Sequence, residues 1–64
     1  MKRVLAEDSV SGVRLIEMTL DGNCFNYLVE LPAPHQVRTF TDTQKKLAYD
    51  CYNEKVIAFS KRYN

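Results

Sequence analysis

The chain has 64 residues, a formal net charge of +1, and 45% hydrophobic against 27% charged side chains. That length holds one small domain, residues 1–64, which buries only about 60% of the surface of its unfolded chain; the composition is too apolar for a disordered segment. Near-neutral charge gives no global field for a polyanion, and no apolar run is long enough to cross a bilayer or to act as a secretory signal.

Lys2–Ala6 reads as a first strand, short and led by charges. Glu7–Gly12 has the small, polar composition of a turn. Gly12–Leu20 follows as a second strand whose apolar parity changes midway, since Val13 and Leu15 share one face and Ile16, Met18 and Leu20 the other. A bulge near Leu15 is the expected cause, burial on both faces the alternative.

Asp21-Gly22 between apolar runs predicts a type I′ hairpin, because both turn residues need positive φ. A two-residue turn sets Leu20 opposite Asn23, so that Met18 faces Phe25 and Ile16 faces Tyr27, two apolar pairs that favour the register; a four-residue loop is the alternative. The third strand then places Phe25, Tyr27, Val29 and Leu31 on the core face, and Cys24, Asn26, Leu28 and Glu30 on the other. Pro32 and Pro34 end it, since proline cannot donate to a ladder. Residues 37–40 are expected to add a short fourth strand beyond the loop that holds His35.

Thr41-Asp42-Thr43-Gln44 is a capping-box pattern, with the Thr41 hydroxyl accepting from the Gln44 N–H and the Gln44 side chain from the Thr41 N–H. A helix of roughly 20 residues, about 30 Å long, is expected from about Asp42 nearly to the end of the chain. The fold class is therefore α+β: a three- to four-stranded antiparallel sheet followed by one long C-terminal helix packed on one face.

Spaced at about 100° per residue, Leu47, Ala48, Tyr49, Cys51, Tyr52, Val56, Ala58, Phe59 and Tyr63 fill an arc of roughly 200°, wider than a surface helix needs. The half around Leu47, Ala48, Cys51 and Phe59 is expected on the sheet. Tyr49, Tyr52, Val56 and Tyr63 remain as a surplus, with Lys55 and Arg62 inside the arc. Such a tyrosine row has the character of an interface centre; the alternative is a core margin with its hydroxyls in water.

Catalytic chemistry is not legible. His35 has no second ligand at helical or strand spacing, so no metal or other cofactor is expected. The carboxylates form no evident dyad, and two glycines cannot build a phosphate-cradling loop. Cys24 and Cys51 lie far apart without a C-x-x-C motif and read as reduced thiols of a cytoplasmic protein. The expected function is non-enzymatic protein binding, with a homodimer among the expected partners. The size suggests a phage- or mobile-element-encoded inhibitor of a host complex, a CRISPR-Cas defence system for example. The alternative is a nucleic-acid-binding or transcription-regulating protein using Lys45, Lys46, Lys61 and Arg62 beside the tyrosines.

Overall fold

A computed structural model describes residues 1–32 and 36–60. The chain is α+β, four antiparallel strands followed by one helix packed against the sheet. The strands are β1 (Lys2–Glu7), β2 (Arg14–Leu20), β3 (Asn23–Leu31) and β4 (Gln36–Thr41), and the helix α1 spans Lys45–Ser60. Spatial order follows sequence order, so the sheet is a meander with β1 and β4 at its edges.

The β1–β2 connection is held by Asp8, whose carboxylate accepts the Ser11 N–H at 2.7 Å while its carbonyl accepts the Gly12 N–H at 2.8 Å. The Ser11 N–H first, then the Ser11 hydroxyl and the Val10 N–H, favour the ionised carboxyl and lower its pKa. Gly12 has φ +78°, and a Cβ there would stand 3.2 Å from the Cβ of Pro32. Both the left-handed backbone and the approach of Pro32 require glycine. The β2–β3 turn is the expected two-residue one, with Asp21 at φ 54°, Gly22 at φ 81° and Leu20 opposite Asn23.

Beyond that turn the register departs from expectation. Met18 faces Asn26 and Thr19 faces Cys24, leaving Phe25 as an extra residue in β3. Ile16 consequently faces Leu28, and Tyr27 faces Glu17. A bulge shifts parity by one residue. Phe25, expected in the core, is 50% exposed, and Cys24, expected outside, packs against the core. The bulge expected in β2 lies instead in β1, where Val4 faces Ile16 and Ala6 faces Leu15 with Leu5 extra. β2 itself keeps its alternation: Leu15 and Ile16 are both fully buried, on opposite faces.

The core consists of Val13, Leu15, Tyr27, Val29 and Leu31 with Ala48 of α1 against them. The helix begins three residues later than expected. The Thr41 N–H donates to Gln44 Oε1 at 3.0 Å, as the capping box requires, but the return bond differs. The Gln44 N–H donates to the Thr41 carbonyl at 3.0 Å, and the Thr41 and Thr43 hydroxyls meet at 3.1 Å. The Gln44 carbonyl accepts the first helical bond, from Ala48, which makes Gln44 the N-cap.

The helix is also rotated relative to the expected face. Tyr49, Tyr52 and Val56, expected as surplus, are half-buried and pack on the core together with Cys51 and Phe59. Leu47, expected on the sheet, is 52% exposed, and Ala58 is exposed as well. Ala48 marks the centre of the contact. Ala48→Leu should therefore overpack it and cost about 1–3 kcal/mol, while Leu47→Ala should change stability by no more than about 0.5 kcal/mol. Urea unfolding of both variants checks this; a larger loss for Leu47→Ala would contradict the rotation.

Candidate functional site

The molecule measures 41 × 19 × 17 Å, two layers thick at most, and the described residues enclose no cavity. Nor do they bring three or more His, Cys, Asp or Glu side chains together as a metal site. No described helix is long and apolar enough to cross a membrane. Any site among these residues is therefore a surface.

Of the residues singled out in the sequence, Tyr49, Tyr52, Lys55 and Val56 are half-buried on or beside the sheet-facing side of α1. Desolvation raises the pKa of the Tyr52 hydroxyl, and the carboxylates of Asp8 and Glu7 add to the shift. Tyr49 and Tyr52 are thus packed against the core rather than presented as an open row. Lys45 and Lys46 are exposed in the first turn, and Lys46 Nζ lies 3.2 Å from Asp50 Oδ2. Lys61, Arg62 and Tyr63, like His35, lie outside the described residues.

The structure brings forward a surface that the sequence reading did not single out, the outer edge of β4. The N–H and the carbonyl of Thr41 are both engaged by Gln44, which lies outside the sheet. Backbone groups of an antiparallel strand alternate sides. Those of Val37 and Thr39 therefore point outwards with Thr41, and those of Gln36, Arg38 and Phe40 bond to β3 opposite Leu31, Val29 and Tyr27. Among the described residues, nothing pairs with the outward groups of Val37 and Thr39.

The two edges of the sheet differ in how they are guarded. β1 has a bulge at Leu5 and carries Lys2, Arg3 and Glu7, devices that discourage strand addition. β4 has a regular register, no proline and a single charge, Arg38. Val37 is 42% exposed on the face away from the helix, and Arg38 shares the helix side with Phe40. The residue types were visible as QVRTFT, but their edge position follows only from the strand order.

Arg38 stands out electrostatically. Arg3 pairs with Glu17 at 3.1 Å, and Arg14 lies 3.3 Å from Glu30 and 3.8 Å from Glu7. Among the described residues Arg38 has no such pair. Its field reaches Cys51 on the neighbouring side of α1: burial raises the thiol's pKa, while Lys55 and Arg38 oppose the rise and Glu54 adds to it. The helix side of the β4 edge thus carries Arg38, with Lys55 and Glu54 of opposite sign on the neighbouring turn of α1 around Cys51, and the exposed Leu47 lies one turn before Cys51.

Comparison with protein-family models, curated proteins and solved structures found no match to this chain.

Inside the sheet, Tyr27 is the most perturbed titrating group. Its pKa is pushed up to about 12, first by its hydrogen bond with Cys24, then by burial and by the charges of Cys24, Glu17 and Tyr49. A folded-state pKa above the unfolded value means stability that is intact below about pH 10. It is lost as the pH rises towards about 12. The urea midpoint should accordingly fall as the pH rises from about 10 towards about 12, and Tyr27→Phe should flatten the fall. An equally steep fall in the variant would contradict the assignment.

Proposed function

We propose that this chain is a non-catalytic protein-binding module that receives its partner on the open edge of β4. The observation that carries this reading is the outward direction of the Val37 and Thr39 backbone groups on an edge without bulge or proline. Strand addition needs little else. Main-chain hydrogen bonds supply affinity, and side chains on alternate faces supply selectivity. Such a mode suits a chain with one small core, because it uses backbone already ordered by β3 and needs no concave pocket.

As a biological role we infer inhibition or modulation of a larger host complex, as for a phage- or mobile-element-encoded protein acting on a defence system. What supports this is small size combined with a binding edge. The two unpaired thiols, Cys24 and Cys51, support a reducing compartment such as the cytoplasm. The nucleic-acid reading gains no comparable support, since Tyr49 and Tyr52 are half-buried against the sheet instead of forming a stacking platform.

A photo-crosslinking amino acid placed at Thr39 tests the reading against one placed at the exposed Asn53 of α1. In an extract of the native cell, Thr39 should give a discrete protein adduct and Asn53 none. Adducts only from Asn53, or only with nucleic acid, would overturn the reading.

A further inference from the structure

We propose that the strand received by β4 is an extended peptide segment with a carboxylate side chain opposite Arg38, flanked by β-branched residues. This rests on the protein-binding reading above and adds the chemistry of the partner. The hydrogen-bond directions fix the register. An antiparallel segment bonds to the outward groups of Val37 and Thr39, so the residue between those two contacts stands opposite Arg38 in a non-hydrogen-bonded pair. Side chains approach most closely in such pairs. The side chain opposite Arg38 projects to the helix side, towards the Arg38 guanidinium, while Lys55 and Glu54 near Cys51 carry opposite charges.

A carboxylate there satisfies a guanidinium that has no ion pair among the described residues, and a basic side chain would meet a like charge directly opposite. The neighbouring partner residues lie on the other face beside Val37 and Thr39. There the half-exposed Val37 favours a β-branched, apolar contact. A second copy of the chain is the less suitable occupant. Pairing β4 with itself through all the free groups of Val37 and Thr39 sets Arg38 directly opposite Arg38, a destabilising like-charge pair. Moving the register so that Thr39 faces Thr39 relieves that clash, but places Val37 opposite Thr41, whose N–H and carbonyl are already held by Gln44.

The probe is a fluorescein-labelled peptide, Ser-Val-Thr-Glu-Val-Thr-Ser, titrated with the full chain and followed by polarisation, with the Glu-to-Lys peptide as its control. The Glu peptide should bind roughly tenfold more tightly than the Lys peptide, the swing expected between an opposite-charge and a like-charge cross-strand pair. Arg38→Glu should reverse that preference. Thr39→Pro removes an outward N–H from an edge strand while leaving the bonds to β3, so it should abolish binding with the circular dichroism spectrum unchanged.

Equal binding of both peptides, lost in Thr39→Pro, would overturn the acidic partner and leave edge binding standing. Binding of neither peptide, with the Thr39 crosslink also absent, would overturn both. Sedimentation of the chain alone completes the test. A dimer that Thr39→Pro dissociates would put a second copy on β4 and overturn the peptide proposal.

Discussion

Ala48 is fully buried where α1 meets the sheet, and the remaining packing is arranged around that methyl group. A larger side chain there would lift the helix from Leu15, Val29 and Tyr27. With alanine, the helix settles close enough for Tyr49 and Val56 on one side, and Cys51 on the other, to reach the core. The hydrophobic driving force is modest in a chain of this length, so the closeness of that approach matters more than the number of apolar residues. The same rotation leaves Leu47 and Ala58 towards solvent and brings Arg38 of β4 within electrostatic range of Cys51. The character of the β4 edge is thus partly a consequence of how the helix docks.

The opposite face of the sheet is stabilised differently. Ile16 is fully buried there although the helix lies on the other side. Val4 and Leu28 flank it along its row, and Lys2 reaches across that row to Glu30 at 3.5 Å, with Arg14 on the same carboxylate group at 3.3 Å. Long cationic side chains cover apolar surface with their stems while their charges stay near water. Exposed pairs of this sort add little energy, but here they also shield an isoleucine. β1 is thereby committed to closing the outer face, and its bulge and charges leave β4 as the edge on which a further strand fits.

Much of the fold was legible because its signals are local. Asp21-Gly22 needs only two positive φ angles, and Thr41 with Gln44 needs only a spacing of three residues. The element order followed from those punctuation marks and the prolines. The two bulges were not legible, since Phe25 and Leu5 are as apolar as their neighbours and parity alone does not reveal an extra residue. The helix face was ambiguous for a related reason: the apolar arc was wider than one contact, and either half fitted the sheet. What settled it was the size of Ala48, a property of packing rather than of pattern. The open edge was invisible at the sequence level, because QVRTFT describes an edge and a central strand equally well until β4 is known to have one neighbour. The residues proposed for binding from the sequence were chosen by helical periodicity, and periodicity carries no information about a strand's free hydrogen-bonding groups.

Binding at the sheet edge depends on the direction in which the β4 backbone points. Amide hydrogen exchange of the dilute chain, followed residue by residue by nuclear magnetic resonance, tests that most directly. The amides of Val37 and Thr39 should exchange quickly, and those of Arg38 and Phe40, which alternate with them, should be protected by their bonds to β3. Protection of Val37 and Thr39 in the dilute chain, or fast exchange of Arg38 and Phe40, would contradict the open edge on which the binding function rests.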